Sequence, residues 1–140
     1  MSELEALHVF HLAPLTSRRD IAMLGLVHRT VLRQGPQHFK QFFRLAPQKE
    51  APYGTRAAVR KHSRQLQDIR SSGFLEMERR SALGLPGIYN LLPEDVVHAP
   101  TVSAFQSSLQ KLLKERASSG CTDWPLSFSP RIPLFKHPLR

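Results

Sequence analysis

The sequence has one cysteine and few acidic residues, and each shortage excludes a class of protein. Cys121 has no partner within its own chain, so neither a disulfide framework nor a cysteine-based zinc site can form. Aspartate and glutamate total 11 against 20 lysines and arginines, and the aspartates, at Asp20, Asp68, Asp95 and Asp123, are scattered. Metal-dependent phosphoryl or nucleotidyl transfer needs carboxylates that lie close together. We therefore predict no catalytic site, no metal site and no cofactor.

Long apolar runs are also lacking. No stretch approaches the roughly 18 apolar residues that a membrane-spanning helix needs. The first 15 residues carry Glu3 and Glu5 and no basic start, so they do not resemble a secretory signal. These features, with the lone cysteine, predict an intracellular protein, nuclear or cytoplasmic, without a membrane partner.

What is present is sufficient for one folded domain. Hydrophobic residues make up 41% of the chain and charged residues 22%, which is ordinary globular usage. A chain of 140 residues fits one domain. The 11 prolines indicate that extended stretches interrupt the folded parts.

The strongest helix signal starts after Thr16 or Ser17, either of which can cap the first backbone N–H groups. Asp20 would lie in its first turn. Apolar residues and one histidine then recur at helical spacing, at Ile21, Leu24, His28, Val31 and Leu32. Gly35-Pro36 would end this helix and begin a second one, whose aromatic face (Phe39, Phe42 and Phe43) would fold back on the first. The pattern predicts a helical hairpin in which His28 is a core or interface residue.

A second helical pattern lies near the C-terminus. Ser103 and Gln106 fit a capping box, and Phe105, Leu109 and Leu113 follow on one face. Between the two patterns, a linker near residues 46–73 allows a short β-hairpin, and Pro86-Gly87 would break or kink a short helix within residues 81–92. We predict a mainly α fold: a lead-in (1–15), a small helical domain (16–117) and an extended Pro/Ser-rich tail (118–140).

The net charge of +9 favours polyanionic partners, because basic proteins gain binding energy by releasing counterions from nucleic acid. The linker contributes most of the clustered charge, through Arg56, Arg60, Lys61 and Arg64. Such residues can follow phosphates without reading bases. A solvated, functionally neutral basic surface explains the same pattern equally well.

Two stretches resemble a known family. Residues 18–29, Arg-Arg-Asp-Ile-Ala-Met-Leu-Gly-Leu-Val-His-Arg, resemble a helix downstream of the polymerase in non-LTR (LINE-type) reverse transcriptases. Residues 89–100, Tyr-Asn-Leu-Leu-Pro-Glu-Asp-Val-Val-His-Ala-Pro, followed by Phe105 and Leu109, resemble the closing pattern of the same region. The palm's paired catalytic aspartates are absent from this chain.

The resemblance implies a non-catalytic, post-polymerase segment that helps to hold RNA or DNA and contacts the upstream reverse transcriptase domains. It adds Arg18, Arg19 and Arg29 to the candidate nucleic-acid-binding residues, and it assigns Asn90, Leu92, Pro93, Phe105 and Leu109 to packing. The alternative is a protein-interaction module, or an element remnant without a selected function, whose apolar faces would pack against absent polymerase domains.

Overall fold

The computed structural model describes residues 2–37, 39, 43, 45, 62, 64–66, 84–132 and 136–139. The predicted mainly α fold is confirmed. Within these residues the helices are α1 (Glu3–Phe10), α2 (Leu15–Val31), α3 (Leu85–Asn90), α4 (Glu94–Val97) and α5 (Val102–Ser118), followed by a 3-10 turn (Trp124–Leu126). The β pairing in the described part is one isolated antiparallel bridge between Leu45 and Leu66. Most of the predicted β-hairpin and of the second hairpin helix lies outside the described residues.

The lead-in contains a helix of its own. Ser2 and Glu5 form a reciprocal capping box at the start of α1. Pro14, rather than Thr16 or Ser17, is the N-cap residue of α2. The predicted side-chain cap is therefore wrong, and the Ser17 hydroxyl instead donates to the carbonyl of Pro125, at 2.8 Å.

Two other helix boundaries differ from the predicted ones. Pro86 lies in the first turn of α3, where a missing N–H costs no helical hydrogen bond, so it begins this helix rather than breaking it. Thr101, and not Ser103, caps α5 by accepting a hydrogen bond from the Ala104 N–H, at 3.1 Å.

The core lies where α2 and α5 pack against each other, with α3 and α4 beside them. Its largest fully buried side chains include Leu24, Tyr89, Leu92, Phe105 and Leu109. The packing role assigned to Leu92, Phe105 and Leu109 is confirmed. Tyr89 is buried as well.

The C-terminal segment completes this core. Trp124 and Phe128 are buried in it, and the Ser127 hydroxyl donates to the carbonyl of Trp124, at 2.7 Å. The expectation of an extended surface tail is wrong for these residues, because the chain forms a 3-10 turn at Trp124–Leu126 and both rings are buried. Phe43 is buried and Phe39 is partly buried against the core, which agrees with an aromatic face that folds back on the helical domain; Phe42 lies outside the described residues.

Candidate nucleic-acid-binding surface

Three of the seven predicted binding residues lie together on one exposed helix face. Arg18, Arg19 and Arg29 are all exposed on α2. The opposite side of this helix is buried because Leu24, Val27 and His28 pack into the core. We call the exposed side the outer face of α2; it consists of Leu15, Arg18, Arg19, Ala22, Leu26 and Arg29.

The outer face of α2 carries positive charge without a carboxylate. Asp20 is the acidic residue of this helix, and it is buried on the other side. Burial raises the pKa of Asp20 to about 6, and the nearby charges of Arg19 and Arg131 limit this rise. Arg18 and Arg29 are eleven positions apart, which is about 16 Å along a helix. This length is sufficient to contact several consecutive phosphates.

A shallow groove of about 370 Å³ runs between α2 and α5 beside this face. From α2 it is lined by Arg18, Ile21 and Ala22. From α5 it is lined by four uncharged polar residues, Ser103, Gln106, Ser107 and Gln110. These four residues are spaced i, i+3, i+4 and i+7, so they share one side of the helix.

Gly25 of α2 lies against the Gln106 side chain of α5. A Cβ atom built on Gly25 would lie 2.4 Å from the Nε2 atom of Gln106. The Gln106 amide therefore lies against the backbone of α2 at Gly25, and a larger residue there would displace the end of the Gln106 side chain. This groove was not predicted from the sequence, although the spacing of the serines and glutamines was a visible signal.

Arg64 has a different environment from the other predicted binding residues. Its guanidinium donates to the carbonyl of Val97, at 2.8 Å, and its charge lies near enough to the Tyr89 hydroxyl to oppose the rise in the pKa of Tyr89 that burial causes. The Arg64 side chain therefore has a structural role, because it bonds a backbone group of the folded chain. Arg56, Arg60 and Lys61 lie outside the described residues.

Arg64 belongs to a buried polar chain that we call the His28 network: Arg64, Tyr89, His28 and the carbonyl of Ala99. The Tyr89 hydroxyl donates to Nδ1 of His28, at 3.0 Å, and Nε2 of His28 donates to Ala99, at 2.9 Å. The carbonyl can only accept, so Nε2 carries the proton. The imidazole also stacks on Phe105, with ring centroids 4.2 Å apart and planes 7° apart. The predicted core role of His28 is confirmed.

Two further histidines are buried with both ring nitrogens in use. Nε2 of His62 donates to the Tyr89 carbonyl, at 2.8 Å, while its Nδ1 accepts from the Arg64 N–H, at 3.1 Å. Nε2 of His137 donates to the carbonyl of Ser129, and its Nδ1 accepts from the Leu139 N–H. Burial lowers the pKa of all three histidines, and it raises the pKa of Tyr89.

The Asn90 side chain of α3 forms hydrogen bonds to the backbone of Leu66. Its Oδ1 atom accepts from the Leu66 N–H, at 2.7 Å, and its Nδ2 atom donates to the Leu66 carbonyl, at 2.9 Å. One side chain thus satisfies both backbone groups of Leu66, as a neighbouring β-strand would. Asn90 was assigned to packing, and in the structure it acts through these two hydrogen bonds.

Among the described residues, no three His, Cys, Asp or Glu side chains are grouped so that they could hold a metal ion. No helix in the described ranges is long and apolar enough to cross a membrane. No protein-family model, curated protein or solved structure matches this chain.

Proposed function

We propose that this protein is a non-catalytic module that binds RNA or DNA without sequence specificity, corresponding to the post-polymerase region of a LINE-type reverse transcriptase. The observation that carries the proposal is the outer face of α2. It presents Arg18, Arg19 and Arg29 to solvent, while the carboxylate of this helix is buried beneath it. Exposed arginines in this arrangement can bond phosphate oxygens without reading bases.

The two stretches that resemble LINE-type reverse transcriptases also support the proposal. The stretch from Arg18 to Arg29 forms most of α2, and residues 89–100 connect α3 to α5 through buried contacts. Residues 89–100 therefore serve packing, and the binding residues of the proposal come from residues 18–29. Arg56, Arg60 and Lys61 stay in the proposal because of their place in the basic stretch of the sequence. Arg64 is left out because its guanidinium bonds the Val97 carbonyl.

Binding of the purified chain to labelled single-stranded RNA and duplex DNA across a salt series tests this proposal. The logarithm of the association constant should fall linearly with the logarithm of salt concentration, by roughly 0.7 for each phosphate contact on a single strand and 0.9 on a duplex. Absence of binding at low salt would refute the nucleic-acid function.

A protein-interaction module is the second candidate, and a specific observation favours it. Val9, Phe10, Leu12 and Leu15 are large apolar side chains in and after α1, and all are more than half exposed, with Leu15 at 73%. Exposed apolar groups close together are typical of surfaces that pack against another protein. The upstream domains of a reverse transcriptase would be the partner. Such association should persist or strengthen in kosmotropic salts such as sulfate, whereas phosphate binding should weaken.

A further inference from the structure

The groove between α2 and α5 has a lining suited to one kind of ligand. Four uncharged hydrogen-bonding side chains of α5, Ser103, Gln106, Ser107 and Gln110, face it, and Arg18 stands beside them. No carboxylate lines the groove, so nothing in it repels a phosphate. No aromatic ring lines it either, so bases have no stacking platform there.

The polar groups of the groove are not used by the fold. Ser108, on another side of α5, donates its hydroxyl to the carbonyl of Ala104, at 3.0 Å, as serines in helices commonly do. Ser103, Gln106, Ser107 and Gln110, which line the groove, make no side-chain hydrogen bond within the described part of the chain. Their donors and acceptors are available to a ligand.

We propose that this groove binds the sugar–phosphate backbone of single-stranded RNA, with the serines and glutamines of α5 bonding ribose 2′-hydroxyls and Arg18 bonding a phosphate. The inference rests on the proposed nucleic-acid function and makes it more specific. Hydroxyl and amide groups can both donate to and accept from a 2′-hydroxyl, the group by which a protein distinguishes RNA from DNA. The volume of about 370 Å³ is at the lower end of the range for ligand pockets and suits a nucleotide-sized group.

The ligand pair that isolates this claim is oligouridylate and oligodeoxyuridylate of equal length, which differ only in the 2′-hydroxyl. Each hydroxyl bond should favour the ribose form by about three- to tenfold. We expect the unmodified chain to bind the RNA oligomer more tightly by at least this factor. In the Q106A/Q110A variant, which keeps Ser103 and Ser107, the preference should fall by at least threefold, while the affinity for the DNA oligomer should stay within about twofold.

Two further variants control the experiment. S108A removes a hydroxyl from the same helix outside the groove, and it should keep the RNA preference. G25A removes no polar group, but its Cβ displaces the flexible end of Gln106, so it should reduce the preference while α2 gains helix propensity. Thermal melting checks that each variant is folded.

Equal affinity for both oligomers in the unmodified chain would overturn the groove assignment and leave the proposed function standing. A ribose preference that is undiminished in both Q106A/Q110A and G25A would also overturn it. Failure to bind either oligomer at low salt would remove the proposed function and this inference together.

Discussion

Replacing Tyr89 with phenylalanine removes one hydroxyl from the centre of the His28 network and leaves its packing in place. The hydroxyl donates to Nδ1 of His28, at 3.0 Å, and both side chains are fully buried. In Tyr89→Phe the Nδ1 atom has no donor, and water cannot replace the lost bond at a fully buried site. Leaving a buried acceptor unsatisfied costs about 1–3 kcal/mol of unfolding free energy.

For a chain of this size, that loss corresponds to a lowering of Tm by roughly 3–9 °C. Thermal and urea unfolding followed by circular dichroism would measure it. Ser119→Ala is the matched control, because it removes an exposed hydroxyl that donates to the carbonyl of Arg116, and its Tm should change by less than about 1 °C. A Tyr89→Phe protein as stable as this control would show that the buried hydroxyl bond does not stabilise the fold.

Two other predictions concern stability. Burial lowers the folded-state pKa of His28, His62 and His137 below 6.5. Below about pH 6.5 the unfolded chain therefore binds more protons than the folded chain. As the pH falls, the free energy of unfolding should decrease by up to about 1.4 kcal/mol per pH unit for each histidine. Asp20, with its pKa raised from 3.8 to about 6, opposes this below pH 6, so the net loss is smaller; urea midpoints from about pH 7.5 to 5 that stay flat would contradict the account. Thr101→Ala should cost about 1 kcal/mol by removing the N-cap of α5, whereas Ser103→Ala should cost little, and urea unfolding that ranks them the other way would contradict the capping assignment.

Hydrophobic periodicity was sufficient to predict the main helices but not their exact ends. Thr101 and Ser103 are both suitable caps, and the choice depends on where α5 begins after Pro100. Pro86 disrupts a helix in its middle and is tolerated in its first turn, so its effect depends on a boundary that local sequence leaves open.

The partners of the polar residues depend on tertiary structure. His28 was predictable as a core residue from its place among apolar neighbours, but Tyr89 and Ala99, which bond it, are 61 and 71 positions away. Arg64 belongs to a basic stretch by sequence, and only the fold places its guanidinium beside the Val97 carbonyl. The exposure of Arg18, Arg19 and Arg29 could be predicted from the spacing of the apolar residues in α2, because side chains opposite an apolar helix face point to solvent.

The central claim, that the outer face of α2 binds nucleic acid, is tested most directly by comparing two variants that each lose three positive charges. R18A/R19A/R29A removes the arginines of that face, and K111A/K114A/K136A removes three lysines that lie outside α2. With single-stranded RNA across a salt series, the first variant should reduce the slope of log K against log salt by about 2, since each phosphate contact contributes roughly 0.7. The second should leave the slope nearly unchanged. Equal losses in the two variants would mean that net charge alone draws the chain to RNA, and they would contradict a binding surface on α2.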